Sequence, residues 1–183
     1  SSVNGEITLS AKSFNTDVNH EIAPVYQTVT VRKGDNLFEM ELPMGQDFLI
    51  WDEFSPALYR LTATLKNGKQ IETKQIQFGM REFTINGKWF YINGRKTMLR
   101  GTVENCDFPL TGYAPMDVAS WERVFRICRS YGLNHMRFHS YCPPEAAFIA
   151  ADLVGFYLQP EGPSWPNHGP KLGNGQPIDK YLM

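Results

Sequence analysis

The spacing of apolar residues changes near residue 80, and this change limits the folds that the chain can adopt. Before that point, apolar and polar residues alternate at every second position, as in residues 59–65. Such alternation is typical of strands with one buried and one solvated face. After residue 80, short apolar runs alternate with segments that carry an apolar residue at every third or fourth position, as amphipathic helices do. We therefore expect an antiparallel β domain followed by strand–helix–strand units.

The first 80 residues predict several short strands and no helix. An Asn-Gly turn at Asn67-Gly68 separates the last two. Strands at this spacing favour an antiparallel sandwich, which carries no recognisable catalytic motif. The predicted strands are residues 6–11, 27–31, 36–42, 59–65 and 70–78.

The second half predicts two short strands at residues 82–85 and 89–92, and then alternating strands and helices. A helix follows Asp117, a plausible N-cap, and ends before Gly132. Strand, helix, strand, helix and strand in this order indicate parallel βαβ units with right-handed crossovers. The first strand of this series is the short apolar run at residues 97–102, and the later elements are the strand 135–138, the helix 144–154 with Gly155 at its end, and the strand 156–158.

Composition and charge exclude several classes of protein. Eighteen Lys and Arg residues against 19 Asp and Glu residues give a net charge of −1, without the basic excess of a nucleic-acid binder. The chain is 42% hydrophobic and 13% aromatic by residue, and this composition argues against a disordered chain. The longest apolar run is too short to span a bilayer, so we expect no membrane partner. The three cysteines show no Cys-x-x-Cys spacing, and free thiols are expected.

Polar and aromatic side chains follow each predicted parallel strand. In parallel barrels the chemistry lies at the carboxyl ends of the strands, here in residues 102–107, 138–142 and 159–165. Carboxylates, a histidine and aromatic rings are typical of a sugar-binding site. These side chains are Glu104, Asp107, His139, Tyr141, Glu161 and Trp165.

Several motifs in a fixed order then resemble those of glycoside hydrolase family 2, which includes β-galactosidases, β-glucuronidases and β-mannosidases. The resemblance runs from about Trp51 to Trp165. Its motifs are Trp51 with Ser55-Pro56-Ala57-Leu58-Tyr59, Phe78-Gly79-Met80-Arg81, Tyr91-Ile92-Asn93-Gly94, Arg100-Gly101, Gly132-Leu133-Asn134 with Arg137, and His139-Ser140-Tyr141-Cys142-Pro143-Pro144.

The resemblance implies an all-β immunoglobulin-like sandwich in residues 1–82 and the first β/α units of a (β/α)₈ TIM barrel, truncated after about three units, in residues 83–183. Members of the family are retaining glycosidases that use two glutamates. The resemblance places these after the fourth and seventh barrel strands, beyond Met183. The chain is therefore expected to be an inactive fragment with no catalytic residue of its own. It is expected to need no cofactor, although a divalent or monovalent metal ion accompanies some relatives.

The resemblance also implies roles for residues near the expected sugar site. Arg137 matches an arginine that hydrogen-bonds the nucleophilic carboxylate, for which a guanidinium fork is well suited; a structural ion pair is the alternative. His139 and Tyr141 would line the −1 subsite, although His139-Ser140 reverses the family's Ser-His order. Glu161 would contact substrate or a metal ion rather than act as the acid/base.

The remaining site residues also have structural alternatives. Glu104, Asn105 and Asp107 lie where relatives carry a sugar-contacting loop, and a solvated loop is the alternative. Trp165 could stack on a sugar face or belong to a core or an interface.

Two other functions remain open. A non-catalytic carbohydrate-binding or interaction module would bind sugar without turnover. A complete small α/β enzyme of another class would need a motif such as G-x-G-x-x-G, a P-loop or G-x-S-x-G, which the sequence lacks.

Open sheet edges predict that the truncated chain self-associates or that its barrel segment is mobile. For the parent protein we expect a carbohydrate substrate and a periplasmic or secreted location.

Overall fold

A computed structural model describes residues 2–162 and residue 173. The chain forms two compact units, Ser1–Glu82 and Phe83–Met183, and is mostly β-sheet, with two helices among the described residues. Within this described part, neither helix has the length and apolar character needed to cross a membrane.

The first unit is built on a four-stranded antiparallel sheet in the order β2-β1-β3-β4. The predicted hairpin is confirmed, because β3 and β4 pair in register from Tyr59↔Phe78 to Asn67↔Gln70. Gly68 has a φ of +58° in the connecting turn, a conformation that glycine adopts without steric cost. The strands are β1 (Ser2–Phe14), β2 (Glu21–Arg32), β3 (Leu58–Asn67) and β4 (Gln70–Phe78).

The strand predicted at residues 36–42 is wrong, because this stretch forms no regular strand. The Asn36 side chain instead binds both the N–H and the C=O of Arg32, at 2.9 and 2.8 Å, and turns the chain at the end of β2. Leu42, Met44 and Leu49 then pack against the core of the unit as separate side chains. Alternation in the sequence thus corresponds to partly buried side chains at every second position from Phe38 to Met44, without a hydrogen-bonded ladder.

A buried indole explains why the Phe-Gly-x-Arg motif of this unit is spaced as it is. Trp51 is 1% exposed, and its backbone N–H donates to the Met80 carbonyl at 2.8 Å. A Cβ at Gly79 would lie 3.0 Å from the Trp51 Cβ, so only glycine fits there without displacement. The Arg81 guanidinium lies 5.1 Å from the centre of the indole ring, within range of a cation–π contact.

The second unit begins with a three-stranded antiparallel sheet, β5 (Phe83–Asn86), β6 (Trp89–Ile92) and β7 (Arg95–Thr97). A three-stranded parallel sheet follows, in which β9 (His135–Phe138) lies between β8 (Gly101–Glu104) and β10 (Tyr157–Gln159). The helices α1 (Val118–Ser130) and α2 (Glu145–Val154) connect the three strands in turn.

The predicted helix ends are confirmed. The Asp117 carboxylate accepts a hydrogen bond from the Ser120 N–H at 2.8 Å and caps α1. Gly132 has a φ of +80° just beyond α1, and Gly155 has a φ of +75° at the end of α2. Both glycines therefore end their helices in the left-handed conformation.

One hydrophobic core joins the two helices to the parallel sheet. Met136 and Phe138 of β9 are buried in it, whereas His135 and Arg137 are only partly buried. Because side chains alternate along a strand, His135 and Arg137 lie on the opposite face from the core. The core side chains are Trp121, Phe125, Met136, Phe138, Ala146, Ala147, Ala150, Ala151, Val154 and Phe156.

Asn134 fixes the start of β9 against the start of β8. Its side chain is 1% exposed; Oδ1 accepts from the Arg100 N–H at 2.7 Å and Nδ2 donates to the Met98 carbonyl at 3.1 Å. The Arg100 side chain adds a second link between the same two segments, because its Nε donates to the Gly132 carbonyl at 2.8 Å. These hydrogen bonds link the Arg-Gly motif at the start of β8 to the Gly-x-Asn motif before β9. We call this group of bonds the Asn134 clip.

We predict that Asn134→Ala destabilises the chain by about 3 kcal/mol, since it leaves the Arg100 N–H and the Met98 C=O without their buried amide partner. Urea unfolding followed by tryptophan fluorescence measures the loss. The exposed Asn105→Ala serves as the matched control. A loss of unfolding free energy below about 0.5 kcal/mol, the range of ordinary surface changes, would show that the Asn134 clip is not needed for stability.

Candidate active-site edge

The carboxyl ends of the three parallel strands lie side by side, as expected for strands that run in one direction. The His139 N–H donates to the Glu104 carbonyl at 2.8 Å, which ties the chain after β9 to the end of β8. The Glu161 N–H donates to the Tyr141 carbonyl at 3.1 Å, which ties the chain after β10 to the same loop. The loop after β9 is therefore held on both sides.

Arg137 and Glu161 form an ion pair at this edge. Arg137 Nε lies 2.5 Å from Glu161 Oε1, and the two side chains are 38% and 22% exposed. The second carboxylate oxygen, Oε2, accepts a hydrogen bond from the Ser140 backbone N–H at 2.8 Å. Each oxygen of Glu161 thus has its own donor.

Ser140 is a site residue that the sequence analysis missed. It adopts a φ of +62°, which few residues other than glycine adopt, and in this conformation its N–H points at the Glu161 carboxylate. Its hydroxyl lies 2.7 Å from His139 Nδ1. Sequence alone gives no sign of this role, because the contact with Glu161 is made by the backbone.

The surroundings of Glu161 favour its ionised form. The hydrogen bond from Arg137, and next the one from Ser140, lower the pKa of Glu161, while the same contact with Glu161 raises the pKa of Arg137. A carboxyl group with a lowered pKa is a poor proton donor near neutral pH. His139 Nδ1 lies 3.9 Å from Glu161 Oε2, so a protonated His139 would add to this effect.

Tyr141 lies beside this cluster and also borders the hydrophobic core. Its ring meets the Phe138 ring edge-on, with 5.5 Å between the ring centres. Its hydroxyl oxygen is buried and has no hydrogen-bond partner among the described residues. A buried hydroxyl without a partner is unfavourable, and a ligand hydroxyl could satisfy it.

In the loop after β8, the predicted site residue Glu104 bonds to the backbone of its own loop. The Glu104 carboxylate accepts from the N–H groups of Cys106 and Asp107, at 3.0 and 3.4 Å, and so stabilises its own loop. Asn105 and Asp107 are exposed. Trp165 lies outside the described residues.

The cluster is suited to binding polar groups and to holding a carboxylate. In the described part of the chain, no group of three or more His, Cys, Asp and Glu side chains is arranged to hold a metal ion. Arg137 is the group that could bind an anion or a sugar oxygen, since a guanidinium has five N–H donors.

Comparison with known proteins identifies related sequences. Residues 1–81 match the family described as "Glycosyl hydrolases family 2". The chain is 30% identical to a β-galactosidase of Thermoanaerobacterium thermosulfurigenes over 71% of its own length and 18% of that enzyme. It is 28% identical to a β-galactosidase of Staphylococcus xylosus over 61% of its length and 11% of that enzyme.

A solved structure has the same fold. The crystal structure of a Bacteroides uniformis β-glucuronidase matches with a TM-score of 0.74 and 21% identity, covering 88% of this chain and 20% of that one. The chain therefore spans less than a fifth of the two curated relatives.

We predict that the Arg137–Glu161 pair makes folding stability fall at acid pH. Because the pKa of Glu161 is lower in the folded state, the stabilisation is complete above the unfolded pKa of about 4.3 and is lost as the pH falls through the folded value. Glu161→Gln should flatten this dependence, whereas Ser140→Ala, which keeps the backbone N–H, should not.

Unfolding free energies from urea titrations between pH 3 and 7 measure the effect. The pKa of Asp117 is also lowered, by its cap bonds to Ser120, but it contributes equally to both proteins and cancels in the difference. Parallel pH profiles for Glu161→Gln and the unchanged chain would contradict the prediction.

Proposed function

Because the chain belongs to glycosyl hydrolase family 2, we propose that it is part of a longer retaining glycosidase that acts on terminal β-linked sugars of oligo- or polysaccharides. The family match of residues 1–81 and the related β-galactosidases support a glycosidase parent. The small share of each relative that the chain matches supports the view that other parts of the protein complete the enzyme.

We further propose that the two units are an immunoglobulin-like sandwich and the first three β/α units of a (β/α)₈ barrel. The antiparallel order β2-β1-β3-β4, with an irregular layer packed on its core, supports the first. The second is supported by the order β8-β9-β10 with all three strands parallel and α1 and α2 in one core. Repeated right-handed crossovers place successive helices on one face of a sheet, as in a barrel.

The observation that carries the proposal is the way Arg137 is held. Only its Nε bonds to Glu161, and among the described residues its two Nη groups have no hydrogen-bond partner. They can therefore bind a second carboxylate. In a retaining glycosidase that carboxylate is the nucleophile, which must be ionised to attack the anomeric carbon. An arginine beside it favours that ionised state.

The other residues of the edge then have supporting roles. His139 and Tyr141 line the sugar subsite, and the buried Tyr141 hydroxyl could bond to a sugar hydroxyl. Glu161, with its lowered pKa, is unsuited to protonate the glycosidic oxygen. The acid/base and the nucleophile are then supplied by segments outside this chain, and the chain alone is inactive.

We predict that the natural coding sequence continues beyond Met183 through the remaining barrel strands, with one catalytic glutamate after the fourth strand and the other after the seventh. The longer protein should hydrolyse chromogenic β-glycosides, and this chain alone should not. Arg137→Gln in the longer protein should lower kcat/KM at least about 100-fold, since it removes the donor to the nucleophile.

Assays with β-galactoside, β-glucuronide and β-mannoside substrates measure both proteins, with Arg126→Gln on the exposed side of α1 as the matched control. Hydrolysis by this chain alone would contradict the assignment of the catalytic groups. Sugar binding without turnover by the longer protein would favour a carbohydrate-binding module instead.

We also propose that the isolated chain associates with itself. Apolar side chains of the second unit are exposed, among them Val103 at 46%, Ile127 at 46% and Leu110 at 98%. Within the described part of the chain, β8 and β10 are the edge strands of their sheet and each pairs only with β9. Light scattering should show an oligomer whose mass falls with Val103→Lys, while the exposed Thr73→Lys leaves it unchanged. A monodisperse monomer at all concentrations would contradict this prediction.

A further inference from the structure

Glu161 has contacts that suit a role different from the catalytic roles described above. Its carboxylate lies between two donors from β9 and the loop after it: Arg137 Nε on Oε1 at 2.5 Å and the Ser140 N–H on Oε2 at 2.8 Å. The Glu161 backbone N–H also bonds to the Tyr141 carbonyl at 3.1 Å. Three contacts thus fix the Glu161 residue relative to β9.

The same contacts determine which side of Arg137 is occupied. A guanidinium is planar, and its side edge presents the Nε–H together with one N–H of one Nη group, whereas its end edge presents one N–H from each Nη group. Since Glu161 occupies Nε, the plane is oriented by Glu161, and within residues 2–162 no acceptor bonds to the edge with both Nη groups, which is left for another carboxylate.

The geometry points to Glu161 as a positioning residue for Arg137, with the Ser140 amide as the second support of the carboxylate. The assignment rests on the proposed function only for what Arg137 then binds. Glu161 acts through Arg137 and needs no contact with sugar, and this distinguishes it from the substrate or metal contact expected from the sequence.

A Gln at position 161 would not reproduce this arrangement. The site presents two N–H donors, one to each oxygen, but an amide offers one accepting oxygen and one NH₂ group. Either Arg137 or Ser140 would then face another donor, and the charge that holds the guanidinium would be absent. A Gln side chain has nearly the same size as Glu, so the change tests hydrogen bonding rather than packing.

NMR of the 183-residue chain tests the inference without requiring activity. The Arg137 Nε–H proton should exchange with water at least about tenfold more slowly than that of Arg126, whose exposed pair with Glu122 uses Nη2. Glu161→Gln should accelerate the Arg137 exchange about tenfold or more, whereas Ser140→Ala and the matched pair variant Glu122→Gln should leave it unchanged. Unchanged exchange in a folded Glu161→Gln protein would overturn the inference.

A pH titration of the unmodified chain covers the case in which the variant fails to fold. The Glu161 side-chain carbon, the Ser140 amide and the Arg137 Nε–H should shift together with one midpoint, because protonation of one carboxylate weakens both bonds. Separate midpoints would overturn the inference. His139, whose Nδ1 is 3.9 Å from Glu161, is followed in the same spectra so that its own titration is separated.

In the longer protein, Glu161→Gln should lower kcat about 10- to 100-fold with little change in KM, because the orientation of Arg137 matters most when charge develops. An absence of glycosidase activity in the longer protein would contradict the proposed function but leave the NMR result valid. A normal kcat in an active Glu161→Gln enzyme would overturn the positioning role.

Discussion

The parallel pairing of β9 with both β8 and β10 is the constraint on which the second unit depends. Because side chains alternate along a strand, four residues of β9 serve two faces. Met136 and Phe138 are buried against the helices, whereas Arg137 lies on the other face and reaches the Glu161 carboxylate. A shift of one residue in register would exchange the two sets, so the strand that forms the core also positions the charged site.

The register itself is held at the amino ends of the strands. Asn134 bonds to the backbone at Met98 and Arg100, and Gly101 stands beside His135 at a point where a Cβ would overlap the imidazole ring. The residues that establish the register and the residues that form the site are therefore at opposite ends of the same short strands. This separation allows the loops at the carboxyl ends to change without loss of the fold, as is common in parallel α/β proteins.

The sequence predicted the elements whose signals are local. Asp117, Gly132 and Gly155 set the helix ends through backbone conformation and capping, and Asn67-Gly68 set the hairpin. The strand expected at residues 36–42 does not form. Alternation of apolar and polar residues predicts that every second side chain packs inward, but it does not identify a neighbouring strand to which the backbone can bond. Arg137 and Glu161 could be singled out from strand position and motif, but their contact could not, because it depends on the left-handed backbone of Ser140 and on the loops after β9 and β10. Ser140 contributes through its N–H, which every residue except proline possesses.

We propose that Glu161 orients Arg137 on one edge so that its other edge can hold a carboxylate from outside this chain. A crystal structure of the longer natural protein tests this most directly. It should show Arg137 Nε still bonded to Glu161 and a glutamate oxygen within about 3 Å of Arg137 Nη, the range of a charge-assisted hydrogen bond. An Arg137 turned away from Glu161, or an Nη edge that faces only solvent, would contradict this role of Glu161.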